Sequence, residues 1–220
     1  MNQFGSVNLV SQNPKDDTFT EAQIGWLTDL SDWRFVKRWK LDCPAAENSA
    51  ARDALEYATL AGKRWRFLRE QQLTVSGWQD LIGHLQREPA AELGLAIAVT
   101  TFVAGQTSVL GVAFARRTWA NNLILEFLAT SPQAMSGLKG TGFALMHSLA
   151  VIGHWLSCGE LWGECTGASR GFYMKLMRMS RSPRPDDITD RFQFKSAALR
   201  RLARNHPGEI TPCPPPALNP

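Results

Sequence analysis

The chain has 220 residues, 44% of them hydrophobic and 20% charged, with a formal net charge of +4. That describes a globular protein of one domain, or of one domain with an extension. Met1 to Asp17 is polar without an apolar segment, and every longer apolar stretch is broken by Gly, His or charge, so neither a signal peptide nor a membrane span is expected. The four cysteines, Cys43, Cys158, Cys165 and Cys213, are scattered without a C-x-x-C pair, which fits a reduced, cytoplasmic setting. Charge is uneven: Arg170 to His206 holds ten Lys/Arg against three Asp, while the chain before it is slightly acidic. A basic stretch can face a polyanion or be a solvated face.

In chain order, residues 1–20 read as a polar, poorly ordered start. Residues 21–44 carry Trp26, Trp33, Phe35 and Trp39 among charges, and Trp33 to Leu41 fits a strand or a helix. Glu47 to Glu70 reads as a helix, with Ala54, Ala58, Ala61, Trp65 and Leu68 at spacings of three and four. Val75 to Gln86 predicts a second helix, capped by Ser76 and ended by Pro89. Leu93 to Ala104, Thr107 to Trp119 and Leu123 to Ala129 read as three strands joined by short turns, an antiparallel meander. A glycine-rich turn and a helix over 142–157 follow. Glu160 to Cys165 is then a fourth strand, and the helical crossover places it parallel to the third. Residues 168–177 read as a short helix. Arg191 to Arg204 is a strand followed by a basic helix, or a hairpin strand. Residues 207–220 hold six prolines and read as a flexible tail.

The feature with most chemical content is Gly137-Leu-Lys-Gly140-Thr-Gly142 between a strand and a helix. Such a turn offers unpaired backbone N–H groups at a positive helix end, which suits a phosphate. It is not a P-loop, because no Gly-Lys-Ser/Thr occurs. It is not the dinucleotide fingerprint, because Leu145 stands at the third glycine position. Downstream lies Thr166-Gly-Ala-Ser169-Arg-Gly-Phe172-Tyr173.

The turn, the second motif and their spacing resemble the GNAT superfamily of acyl-coenzyme A-dependent N-acyltransferases. The family's turn has the form [RQ]-x-x-G-x-[GA], and its second half carries a pattern like N-x-x-A-x-x-F-Y. This chain departs with Gly137 at the basic position, Thr166 for Asn and Ser169 for Ala. The resemblance implies an α+β fold: a GNAT-like mixed, mostly antiparallel sheet flanked by helices. Residues 1–45 would form an N-terminal extension, 46–206 the acyltransferase domain and 207–220 the tail. It implies acetyl-CoA or another acyl-CoA as cofactor. The pyrophosphate would meet the N–H groups of Leu138, Lys139, Gly140, Thr141, Gly142 and Phe143, and the pantetheine arm the backbone of Leu128, Ala129 and Thr130. Thr166 and Ser169 would lie at the cofactor too. Tyr173 matches the tyrosine that protonates the leaving sulfur.

Two glutamates in apolar strands are candidate bases. Glu126 stands between Leu125 and Phe127, and Glu164 lies in register with Trp162 and Glu160. The alternative is a sheet face open to water, or a salt bridge with Arg116 or Arg117. His147 and His154 are seven apart, too far for helical metal ligands, and read as surface or packing residues; no metal is expected. The tryptophans before residue 90 read as core residues or as the lining of an acceptor pocket. The reaction expected is acyl transfer, most often acetyl, to an amine-bearing small molecule or peptide in a ternary complex. The alternatives are a catalytically idle, ligand- or partner-binding relative and acyl or aminoacyl transfer involving a carrier protein or tRNA. Nucleic acid is the less favoured partner, since no aromatic residues interleave with Arg200–Arg204.

Overall fold

The computed structural model describes residues 1–11, 19–42, 49–103, 105–132, 137–182, 190–204 and 211–212. The chain opens with β1 (Asn2–Ser11) and β2 (Phe19–Trp26), then a 3-10 turn (Leu30–Arg34) that runs into α1 (Phe35–Asp42). After α2 (Ser49–Glu70), β3 (Thr74–Val75) and α3 (Trp78–Arg87) come β4 (Leu93–Val103), β5 (Gln106–Arg117) and β6 (Leu123–Thr130). The remainder is β7 (Leu138–Lys139), α4 (Thr141–Trp155), β8 (Glu160–Glu164), α5 (Gly167–Met179), β9 (Arg191–Lys195), α6 (Ser196–Arg204) and β10 (Thr211–Pro212).

These strands form one mixed sheet in the order β10-β1-β2-β4-β5-β6-β8-β9, with β3 beside β4 and β7 beside β1. The meander β4–β5–β6 is antiparallel, and β8 runs parallel to β6, as the crossover through α4 requires. The fold is α+β, a mostly antiparallel sheet with helices on both faces. Strand alternation builds the two layers. Leu95, Ile97 and Val99 of β4 face the layer of α3–α6, while Ala96 and Ala98 face α1 and α2. The second layer is thin because α2 presents Ala54, Ala58 and Ala61 to those alanines. A Cβ at Gly94 would meet Leu68 at 2.9 Å, which shows how close helix and strand lie.

The expected poorly ordered start is corrected. Asn2–Ser11 is a strand, and it buries Phe4, Val7 and Leu9 between polar neighbours that face outward. Burial of each such side chain is worth roughly 1.5–3 kcal/mol. The hairpin β1–β2 is part of the main sheet through β2–β4 pairing. Trp33 to Leu41 is helical, not a strand. Ser76 does not cap α3: Gly77 holds that place, and Ser76 N–H and Oγ both donate to Asp80. Arg191 to Arg204 is strand then helix. The expected flexible tail lies outside the described residues except for Thr211–Pro212, which pairs with β1.

Candidate functional site

β6 and β8 pair only over Leu123–Leu125 and Leu161–Gly163. Two features end the pairing. A bulge in the β5–β6 ladder makes Glu126 an extra residue, since Phe114 faces Phe127 and Ala115 faces Leu125. On β8, a Cβ at Gly163 would meet the Leu125 carbonyl oxygen and the Phe192 ring, each at 2.7 Å, so strand contact there is already at its limit. Beyond this point the β8 side of β6 is an open edge among the described residues.

Register decides which groups line that edge. Ser131 N–H donates to Leu110 O at 2.7 Å, so odd-numbered residues of this stretch turn their backbone polar groups toward β5. Leu128 and Thr130 therefore turn theirs toward the gap. Ala129 faces β5 with its N–H and C=O. At the end of the gap a Cβ on Gly142 would stand 3.4 Å from Phe172 and 3.9 Å from Leu128. The start of α4, the free edge of β6 and α5 thus meet at one place.

The glycine turn has two halves. Leu138 and Lys139 form β7 and pair with Ser11 and Val10, so β1 takes part of their backbone bonding. Gly140 follows with φ +109°, a conformation glycine tolerates. The first intrahelical bond of α4 runs from Ala144 N–H to Gly140 O, and the N–H groups of Thr141 and Gly142 precede it. Phe143 packs against the core from a half-buried position. Gly137 is exposed and its Cβ direction is open. The Thr141 side chain is 3% exposed, and its Oγ1 has no partner among the described residues. The arrangement fits a pyrophosphate group, with the anion-facing N–H groups at Thr141 and Gly142 rather than along the whole run from Leu138. Residues 133–136 of the turn lie outside the described residues.

Thr166 and Ser169 do something different from the expectation. They form a reciprocal capping box at the start of α5: Thr166 Oγ1 accepts from Ser169 N–H, and Ser169 Oγ accepts from Thr166 N–H at 3.0 Å. Their hydroxyls hold the helix that carries Tyr173. That ring is 5% exposed, stacked on Phe192 at 4.0 Å and set edge-on to Phe172 at 5.0 Å. Burial first, then Cys165 and Tyr57, push its phenol pKa above the ordinary tyrosine value, so it keeps its proton.

Tyr57, the other tyrosine, was not singled out in the sequence. It lies on α2, on the opposite face of the sheet, half-buried, with its ring 6.4 Å from Phe127 at the bulge. Burial and the neighbouring Asp53 and Glu56 raise its pKa also. The chain has only two tyrosines, and the rarity that drew notice to Tyr173 applied equally to Tyr57.

The two glutamates separate. Glu126 is ion-paired on both oxygens, with Arg116 Nε at 2.8 Å and Arg64 Nε at 3.2 Å, which is the salt-bridge alternative with α2 added. Its hydrogen bond holds the Arg116 guanidinium above its ordinary pKa. Glu164 is exposed at the end of β8, paired with Arg191 of β9 but just past the last residue paired with β6, and forms no ion pair among the described residues. Its neighbour on that face, Trp162, lies under the Arg191 guanidinium at 3.9 Å.

His147 and His154 take no part in the gap. His147 is buried, and its Nε2 lies 3.0 Å from Ala203 O; burial pushes its pKa down to about 4. Cys158 and Cys165 are buried free thiols, the first pushed up to about 12 by burial. Cys43 and Cys213 lie outside the described residues. Trp26, Trp33, Trp65 and Trp78 are core residues, and Trp39 is buried with its Nε1–H donated to Val109 O. No helix among the described residues is long and apolar enough to cross a membrane.

No family model and no curated protein matches the chain. Among solved structures it is similar to a nourseothricin acetyltransferase, 19% identical over 37% of this chain and 48% of that one, TM-score 0.33. It is also similar to a proposed acetyltransferase of the GNAT family from Desulfovibrio desulfuricans, 17% identical over 70% and 82%, TM-score 0.41. A third is the KacTA protein of a DNA complex, 14% identical over 82% and 97%, TM-score 0.47. The chain spans about half the length of the first of these. The order of elements, the parallel pair that parts at a bulge and the glycine turn opening α4 make the fold GNAT-like.

Proposed function

We propose that the chain is an N-acyltransferase that takes an acyl group, most simply acetyl, from coenzyme A and gives it directly to an amine. One observation supports the reading: the edge of β6 beyond its pairing with β8 meets the glycine-led start of α4 and Phe172 of α5, the helix that also carries the buried Tyr173. Acetyl-CoA, when bound, supplies the acyl group and a thiol leaving group. Leu128 and Thr130 would pair with an amide-bearing arm along the edge, as with an added strand. Thr141 and Gly142 would direct N–H groups at its phosphates. Tyr173 holds a proton for the departing sulfur, and its raised pKa keeps that proton in place across the working range. Glu164 takes the proton of the attacking amine, directly or through water. Glu126, committed to two guanidinium groups, is a positioning residue that ties the bulge to α2. The buried, high-pKa thiols favour direct transfer over an acyl-cysteine intermediate. The acceptor is a small or peptidic amine: of the basic C-terminal stretch, Arg170 and Arg191 meet Asp190 and Glu160, and Arg201 donates to Ser180 O.

The test is thiol release from acetyl-CoA in the presence of a panel of primary amines and basic peptides. Tyr173→Phe is expected to lower kcat by about tenfold or more with KM little changed. Unaltered turnover in that variant removes Tyr173 from the chemistry.

A second reading has its own observation. Gly137 lacks the charge expected at the head of the turn, and β1 occupies part of Leu138 and Lys139. A protein that binds coenzyme A yet transfers no acyl group to any amine would be an idle relative with a ligand-binding role.

A further inference from the structure

The layer of α4, α5 and α6 is one-sided in charge. The three helices carry six Lys/Arg and no Asp or Glu, while α1, α2 and α3 mix both signs. Acyl transfer at the gap uses none of these cations. Arg170 is ion-paired with Asp190, and Arg201 donates to Ser180 O at 2.6 Å and to Arg181 O at 3.4 Å. Arg200 and Arg204 are different. Both are exposed, and neither forms an ion pair among the described residues. The stretch from Arg170 to His206 contains only three Asp, too few to neutralise its ten Lys/Arg.

Packing gathers the free cations on one surface. α6 lies antiparallel along α4: a Cβ at Gly153 would meet Leu199 at 3.0 Å, and His147 Nε2 lies 3.0 Å from Ala203 O. Leu199 and Leu202 fill the inner side of α6, so Arg200 and Arg204 stand one turn apart on the outer side. His154 is exposed beside them. Burial first, then the charges of Arg200 and Arg204, push its pKa below the ordinary value. Glu160, the first acid after α4, accepts from Gln193 and pairs with Arg191 on the other face of the sheet. Like charges four residues apart oppose helix formation, so the arginine pair weakens α6 until an anion meets it.

Trp119 lies at the same end of the layer. It is 72% exposed in the β5–β6 turn. Asn121 of that turn donates from Nδ2 to Leu156 O at 3.0 Å, and its own carbonyl accepts from Gly159 N–H at 3.1 Å. Gly159 O in turn accepts from the N–H of Ser196, the first residue of α6, at 2.9 Å. The aromatic residue missing from the sequence around Arg200–Arg204 thus comes from a different part of the chain. His154 is about 18 Å along α4 from Gly142, so this surface is separate from the glycine-led end of the helix.

We infer that the outer face of α6, with His154 and Trp119 beside it, binds single-stranded nucleic acid. Arg200 and Arg204 meet backbone phosphates, for which the guanidinium fork is suited, and an unstacked base lies on the Trp119 ring. The test is an anisotropy titration of a labelled single-stranded RNA of mixed sequence with the full chain, at low and moderate salt, with polyglutamate as competitor. Binding should weaken steeply with salt, because each neutralised phosphate releases counterions. Arg200→Ala/Arg204→Ala should lose affinity by about tenfold or more at low salt and show a shallower salt dependence. Trp119→Ala should lose about fivefold or more with the salt dependence unchanged. Polyglutamate should displace the RNA far less readily than unlabelled RNA does. All three residues are exposed, so both variants should keep the urea midpoint of the unaltered chain. No binding at low salt, equal affinity in the double arginine variant, or equal affinity in Trp119→Ala would each overturn the assignment. Equal displacement by polyglutamate would also overturn it, and would make the face a site for an acidic protein. None of these residues takes part in acyl transfer, so thiol release from acetyl-CoA should be the same in both variants, and the two readings fail separately.

Discussion

Glu126 shows how one side chain can be assigned by its partners. It is 17% exposed on the side chain, lies at a bulge and holds two arginines from different elements. Glu126→Gln keeps the shape and removes the charge, leaving Arg64 and Arg116 without their anion. Loss of one partner from such a part-buried group costs about 1–3 kcal/mol. The expected result is a lower urea midpoint with the pH profile of turnover unmoved; a shifted pH profile would return Glu126 to the list of bases. His147 makes a second residue-scale prediction. Its folded pKa of about 4 lies below the ordinary 6.5, because burial excludes the charged form. From pH 6.5 down to 4 the unfolded chain takes up a proton that the folded chain refuses. Stability therefore falls with pH through that window, by up to about 3 kcal/mol, and is flat for this group above it. Urea unfolding at pH 7, 5.5 and 4 should show this loss, and a smaller one in His147→Gln. Equal losses in both proteins would refute it.

At the scale of elements, β7 joins the glycine turn to the first strand of the chain. Gly140 makes the connection with φ +109°, and a Cβ there would also approach Leu9 at 3.4 Å. Gly140→Ala should cost about 1–3 kcal/mol from backbone strain, read from the thermal midpoint; an unchanged midpoint would show that the turn relaxes freely. The central elements were readable in the sequence because their signals are local. The meander has apolar runs bounded by Gly105 and Asn121, both with positive φ, and α2 has its three-and-four spacing. β1 was not readable. Its inward residues, Phe4, Val7 and Leu9, are separated by polar ones, and what orders them is pairing with β2, β7 and β10. The site divides the same way. The glycine turn and Tyr173 lie in contiguous motifs. Tyr57 meets Phe127 only because α2 stacks on the sheet, and the difference between Ala129 and its two neighbours depends on register with β5. Thr166 and Ser169 were read toward a ligand, although their spacing of three is that of a capping box.

For the whole molecule, the sheet does two jobs with one interruption. It is continuous from β10 to β9, and the single parallel pair within that path parts after three residues. The parting lies between the α2 layer, where Tyr57 packs near Phe127, and the layer of α4 and α5, where Gly142 and Phe172 approach Leu128 of β6. The basic C-terminal stretch adds little to this, since several of its arginines are used within the fold. The most direct test of the account is calorimetric titration of the full chain with coenzyme A, beside Gly142→Val. A branched Cβ there crowds Phe172 and the N–H groups at the start of α4. The account predicts one coenzyme A per chain, and an affinity at least tenfold lower in a variant whose unfolding curve is unchanged. Absence of coenzyme A binding by the folded chain, or equal affinity in the two proteins, would contradict it.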